Sequence, residues 1–318
     1  MAVDDLSRIH GGSSQEVYRF TARWTDANGD GVEKRLILRR APPSGLIVAE
    51  RDLEYTVYAA LAGTGVPVPA VHHLELDTAW LDRPFFVMDC MAGRPSNPFV
   101  STETFDEHAA QVAREFWRHL GTLAALDPVA LGLTDLRNGG EVSGFASLEL
   151  DHWEAILDAG EYVPEPIVHG AIRRLRAAPP PEPASAALIH GDYRSGNFLF
   201  TPDGTITAVL DWEMAHVGDP LEDVAWAIDG MWPMTRHLPL DEGLAEWEAA
   251  SGRVVDRAAL DWWRLFAPVK GCAIWTTAEA SFTEGKAREM VVGVSAIRAG
   301  HFHRREILDI LRDRGIFH

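Results

Sequence analysis

Apolar residues alternate between Glu16 and Trp24, with Tyr18, Phe20, Ala22 and Trp24 on one face, and this period of two predicts a β-strand. Asn28-Gly29-Asp30-Gly31 has turn chemistry. The chain is therefore expected to fold back into a second strand from Glu33 to Arg39 and to feed a third. From about residue 47 to 62 the period becomes helical, with Leu53, Val57, Ala60 and Leu61 on one stripe and Gly63 placed to close it. Phe85-Phe86-Val87-Met88 reads as another strand. Beyond residue 92 the pattern is mostly helical. Thr104 and Glu107 have capping-box spacing ahead of a helix in which Val112, Phe116, Leu120 and Leu123 recur at helical intervals. The run Ala178-Pro179-Pro180-Pro181-Glu182-Pro183 cannot be helical, and reads as a rigid connector delivering the chain to Ala187-Leu188-Ile189.

Two short β-type runs, Asn197-Phe198-Leu199-Phe200 and Ile206-Thr207-Ala208-Val209-Leu210, flank the turn Thr201-Pro202-Asp203-Gly204-Thr205. A hairpin follows, and it brings Asn197 and Asp211, at its two ends, towards one point. Just ahead stands His190-Gly191-Asp192-Tyr193-Arg194-Ser195-Gly196-Asn197. Each acid alone reads as an ordinary loop or strand-end carboxylate. Asp192, Asn197 and Asp211 in this register have the spacing of a kinase-type phosphoryl-transfer centre, in which the first carboxylate faces the acceptor hydroxyl and the amide and second carboxylate hold Mg²⁺ against nucleotide phosphates. His190 is expected to brace the loop through its ring nitrogens rather than to carry protons. Gly218-Asp219-Pro220 opens a further helix, with Asp219 as the expected N-cap and Pro220 at its first position.

Composition narrows the function classes. The 318 residues, 47% hydrophobic and 24% charged, can bury one large or two modest cores. Neither an apolar run of about 18 residues nor the basic and apolar start of a signal peptide is present, so no membrane partner is expected and the cytoplasm is the default compartment. Cys90 and Cys272 are too few for a disulfide framework and are expected to be small buried hydrophobes. A net charge of −18 disfavours nucleic acid. It would suit a cationic substrate, though an acidic solubility surface is the commoner meaning. Eleven Trp residues, among them Trp226, Trp232, Trp247, Trp262, Trp263 and Trp275, point to core packing, with one or two available to line an acceptor pocket.

From His190 to Phe200 and from Ile206 to Trp226 the chain resembles the aminoglycoside phosphotransferase and choline kinase-like superfamily, in particular the branch related to kinase domains fused to some acyl-CoA dehydrogenases. The resemblance implies an α+β, two-lobe, protein-kinase-like fold: residues 1–91 as an N-terminal lobe of antiparallel sheet plus helix, residues 92–318 as a mostly helical lobe carrying the catalytic hairpin, and nucleotide between them. It also implies roles. Gly11, Gly12, Ser13 and Ser14 would bring backbone N–H groups to the phosphates, a weak signal taken alone. Arg39 stands where the family usually has a Lys that anchors the α- and β-phosphates, with Glu54 as its partner; the swap keeps the charge but changes the geometry. Asp89 and Met91, at the expected junction between lobes, are counted with the nucleotide-contacting residues. Arg194 stands where many protein kinases carry a phosphoryl-contacting Lys, although a surface or loop-bracing Arg is the commoner case. Asp219 resembles a supporting carboxylate beneath the catalytic loop. The implied activity is Mg²⁺-assisted transfer from ATP or GTP to a hydroxyl of a small molecule: an aminoglycoside, a macrolide, or a metabolite such as a hydroxyacyl-CoA. The alternative is a nucleotide-binding pseudokinase, motivated by Arg39 and opposed by the intact Asp192, Asn197 and Asp211.

Overall fold

Strands β1 (Ala2–Ile9), β2 (Glu16–Thr25) and β3 (Gly31–Arg40) form an antiparallel meander in the computed structural model, which describes residues 2–9, 16–41, 52–96, 105–141, 143–232, 234–287 and 290–315. After helix α1 (Leu53–Leu61), β4 (Val71–Glu75) and β5 (Phe85–Asp89) complete a five-stranded sheet in the order β1-β2-β3-β5-β4. Helix α1 covers this sheet because its stripe is apolar. Val57, Tyr58 and Leu61 are fully buried, with Tyr55 and Tyr58 packed on Phe86. Full burial of a Val or Leu contributes about 1.5–3 kcal/mol, so Val57 and Leu61 alone fix the helix firmly. Gly63, at φ +79, ends it as expected.

The chain leaves the sheet through β6 (Arg94–Pro95), which pairs with β8 (Phe198–Phe200), and β8 pairs in turn with β9 (Ile206–Val209). The expected hairpin is therefore present, and the segment linking the lobes is pinned to it: Thr207 Oγ1 donates to Ala92 O at 2.5 Å. Around it lie α2 (Ala109–Ala124), α3 (Phe145–Gly160), α4 (Pro166–Ala177), β7 (Ala187–Ile189), β10 (His216–Gly218), α5 (Leu221–Ala227), α6 (Leu240–Ser251), α7 (Arg257–Thr283) and α8 (Met290–Asp313). The helical stripe of α2, Val112, Phe116, Leu120 and Leu123, is buried in the main core with Trp117, Trp212, Trp247 and Trp263. The proline run spans the gap between α4 and β7 without helix, as its chemistry requires.

Some expectations need correction. Strands β1 and β4 were not legible in the pattern. Helix α5 starts at Leu221 with Pro220 at its N-cap position, one residue later than expected. Asp219 still supplies a cap, because Leu221 N–H donates to its Oδ1 at 2.9 Å. Cys272 is buried, whereas Cys90 is only half-buried where the chain turns away from β5. Thr104, the expected capping residue, and residues 47–51 of the expected first helix lie outside the described residues.

Candidate active site

The loop from His190 to Asn197 joins β7 to β8, and buried hydrogen bonds hold its backbone. Asp223, on α5, accepts from two successive amides, His190 N at 2.6 Å and Gly191 N at 3.0 Å. His190 Nε2–H donates to Leu210 O at 2.9 Å, while its Nδ1 accepts from Asp192 N at 3.1 Å. These two bonds need the neutral ring, and burial lowers the His190 pKa accordingly. The expected bracing role of His190 thus has a geometry. Gly191 sits at φ +82, where a Cβ would come within 2.4 Å of Met214 O, so only glycine fits this turn.

Asp192 is the focus of the loop. Its Oδ1 accepts from Trp226 Nε1 at 2.7 Å and Arg194 Nε at 2.9 Å, and its Oδ2 from Asn197 Nδ2 at 2.6 Å. Three donors fix the carboxylate in one direction. Arg194 is committed to Asp192 and lies over the Trp232 ring at 5.2 Å, a bracing geometry for that side chain. Trp226, Trp232, Trp247, Trp262 and Trp263 are all buried in the core, and of these Trp226 and Trp232 also adjoin this loop.

Across the lobe junction, Arg39 on β3 forms ion pairs with Glu54 of α1, Nη1 to Oε1 at 3.1 Å, and with Asp211 beyond β9, Nη2 to Oδ1 at 2.9 Å. Asp211 N–H donates to Tyr58 Oη at 3.2 Å, so α1 as well as β3 holds this residue. Burial would raise the Asp211 carboxyl, but Arg39 holds it below the ordinary carboxylate range and charged. Burial pushes the Glu54 carboxyl up to about 7 against the pull of Arg39. Asp211 keeps 28% of its side chain exposed, against 8% for Arg39, so a ligand can reach it.

The donor chemistry at Asn197 and Asp211 fits Mg²⁺. Leu210 N donates to Asn197 O at 2.8 Å, closing the hairpin between them. The Asn197 Nδ2 is turned to Asp192 through its O and Oδ2, which leaves the amide oxygen as the ligand atom. A carboxylate and an amide oxygen are the hard donors this ion prefers.

The remaining candidates separate. Asp89 ends β5 with its carboxylate on Lys34 Nζ at 2.7 Å and His72 Nε2 at 2.6 Å, partners that hold it below the ordinary carboxylate range despite partial burial. Met91 follows, half-buried, in the linking segment. Gly11, Gly12, Ser13 and Ser14 lie outside the described residues. Asp219 is not the carboxylate beneath the catalytic loop; Asp223, one helical turn on, takes that place, and the second oxygen of Asp219 accepts from Trp263 Nε1 at 3.0 Å. Sequence reasoning missed Asp223, Tyr58 and Lys270, whose Nζ donates to Gly191 O at 2.5 Å. A lone Lys inside the apolar stretch Leu265–Trp275 was the available signal for the last.

A two-lobed α+β architecture with this loop, hairpin and cross-lobe ion pair defines a kinase-like class, and comparison with known proteins makes it specific. The phosphotransferase enzyme family model matches residues 5–263, and the chain belongs to that family. It is thereby a phosphotransferase by class. Among curated proteins it is 30% identical over 206 residues to acyl-CoA dehydrogenase family member 11 of Gallus gallus (64% of this chain, 26% of that protein). It is likewise 30% identical over 202 residues to family member 10 of Mus musculus (61% and 18%). The chain thus spans about a quarter or less of the length of these relatives. Among solved structures, a Ralstonia eutropha protein with a proposed aminoglycoside phosphotransferase assignment superposes with TM-score 0.71 at 22% identity, covering 96% of this chain and 92% of that one. An aminoglycoside phosphotransferase in ternary complex with ADP and hygromycin B gives 0.62 at 18% (98% and 94%). The macrolide 2′-phosphotransferase of Brachybacterium faecium gives 0.59 at 20% (92% and 90%). At these identities the structures establish the fold. No helix among the described residues is long and apolar enough to cross a membrane.

Proposed function

We propose that this chain transfers the γ-phosphoryl group of ATP or GTP, with Mg²⁺, to a hydroxyl of a small molecule. The observation that carries the reading is the convergence of Asn197, Arg194 and Trp226 on the Asp192 carboxylate, which aims a base at one point beside the hairpin. The acceptor oxygen attacks the γ-phosphorus, its proton passes to Asp192, and the bond to the β,γ-bridging oxygen breaks to release the nucleoside diphosphate. Asn197 and Asp211 would hold Mg²⁺, which when bound neutralises charge on the phosphate oxygens. Arg39, oriented by Glu54, would pair with the α- and β-phosphates; Gly11, Gly12, Ser13, Ser14, Asp89 and Met91 are the further residues proposed to contact the nucleotide. Arg194, held on Asp192, keeps that carboxylate aimed beside the transferring group.

For the acceptor we favour a hydroxyacyl-CoA over aminoglycosides and macrolides, a reading supported by the 30% identity to the acyl-CoA dehydrogenase relatives. The test is nucleoside diphosphate release with hydroxyacyl-CoAs, aminoglycosides, macrolides, choline-like amines and sugars as acceptors. Release stimulated by one class identifies it. Stimulation by an aminoglycoside and not by a hydroxyacyl-CoA reverses the ranking.

A further inference from the structure

Lys270 lies midway along α7, beyond residue 263 where the family match ends. Its side chain is 1% exposed, and a buried ammonium is strongly unfavourable unless its donors are satisfied. Its partners are Gly191 O at 2.5 Å, Glu222 Oε1 at 2.8 Å, and the indole faces of Trp226 at 5.1 Å and Trp153 at 5.4 Å.

Two of these four lead to one place. The Gly191 carbonyl belongs to the peptide that carries the Asp192 amide, and the Gly191 N–H is already held by Asp223, so Lys270 completes the fixation of that turn from the opposite side. Trp226 donates its indole N–H to Asp192 Oδ1. Glu222 adjoins Asp223 in α5, and its second oxygen lies 3.1 Å from His216 Nε2, itself 3.4 Å from Glu149. Glu149 in turn accepts from Asn138 and Arg137. The carboxylates of this buried cluster are therefore already met by Lys270, His216 and Arg137.

We infer that Lys270 is a positioning residue for Asp192, fixing the Gly191 carbonyl and the Trp226 ring and, through them, the direction of the Asp192 carboxylate. The effect on turnover rests on the phosphotransfer reading; the effect on Asp192 does not. The rival role, neutralising Glu222 alone, predicts that removing both charges restores everything.

The experiment compares wild type, Lys270→Met, the doubly neutral Lys270→Met/Glu222→Gln and Trp226→Phe. Indole and amide hydrogen exchange is followed by NMR, the Trp226 indole being assigned by its loss in Trp226→Phe. Mg-ATP affinity and water-dependent Mg-ATP hydrolysis are measured on the same proteins. In the double variant, exchange of the Trp226 indole and Asp192 amide is expected to rise at least tenfold, with hydrolysis falling by about tenfold or more and Mg-ATP affinity held within about threefold. Trp226→Phe, which keeps a ring over Lys270 but has no N–H, should reproduce the fall in hydrolysis. Wild-type exchange and hydrolysis in the double variant, or full hydrolysis in Trp226→Phe, would overturn the inference. If wild type neither binds nor hydrolyses Mg-ATP, the phosphotransfer reading fails, while the exchange data still decide the role of Lys270.

Discussion

Arg39 Nη2 lies 2.9 Å from Asp211 Oδ1, a contact between residues 172 positions apart that ties the N-terminal sheet to the end of the catalytic hairpin. The same guanidinium holds Glu54 through Nη1. Arg39 and Glu54 are thus one unit facing the proposed metal ligand, and removing either should lose much of what removing both loses. A charge-assisted phosphate contact is worth about 1.5–3 kcal/mol, so Arg39→Ala should raise the ATP dissociation constant by roughly 10- to 150-fold. Arg39→Lys should retain much of the binding. Calorimetry on Arg39→Ala, Glu54→Ala and the double variant checks this; strictly additive losses, or none, would favour a nucleotide-binding module without turnover.

The position of Glu54 makes nucleotide affinity depend on pH. Its carboxyl, pushed up to about 7 by burial against the pull of Arg39, is charged above that value and neutral below it. As pH falls through 7, Glu54 releases Arg39, while Asp211, held below the ordinary carboxylate range, keeps its grip. Mg-ATP affinity should therefore weaken from pH 8 to pH 6, and Glu54→Gln should flatten the profile. Stability runs the other way. The folded value lies above the ordinary 4.5, so the contribution of Glu54 is fully present below about 4.5 and is lost as pH rises through about 7. Calorimetry and denaturant melts across this range measure both slopes.

Asp211→Ala removes a carboxylate donor and one partner of Arg39. Transfer should disappear and Mg-ATP binding should weaken, with the melting transition still cooperative. Unchanged Mg-ATP affinity and turnover would remove Asp211 from the site.

Asp223→Ala leaves the amides of His190 and Gly191 without their acceptor inside the core. An unsatisfied buried donor costs about 1–3 kcal/mol, so the variant should lose at least that much stability in urea and show faster exchange at both amides. Wild-type stability would mean that the loop is held by its other contacts.

Legibility followed the range of the interaction. The hairpin could be read because Thr201–Thr205 and the flanking runs fix it locally, and with it came the approach of Asn197 and Asp211. β1 could not, since nearly all its side chains are exposed and a register shift between Asp4 and Ser7, with Asp5 at φ +56, breaks the alternation. In β4, His72 and His73 are both exposed, so no clean period of two survives. The Arg39–Glu54 pair was expected only through family resemblance, and the direct Arg39–Asp211 contact was not expected at all, because spacing carries no information across 172 residues. Trp226 and Asp223 share one buried helix in which every residue from Leu221 to Ala227 is inside. There, periodicity cannot tell a core residue from one that holds a loop.

The proposed transfer depends most directly on Asp192. Transfer of label from γ-labelled ATP to the acceptor found by the screen is to be measured for wild type and Asp192→Asn, alongside Mg-ATP affinity. Asn keeps the shape and removes the base, so nucleotide binding should persist while turnover falls by at least about 100-fold. Equal label transfer by the two proteins would contradict the mechanism, and a wild-type protein that neither binds Mg-ATP nor releases ADP would contradict the function itself.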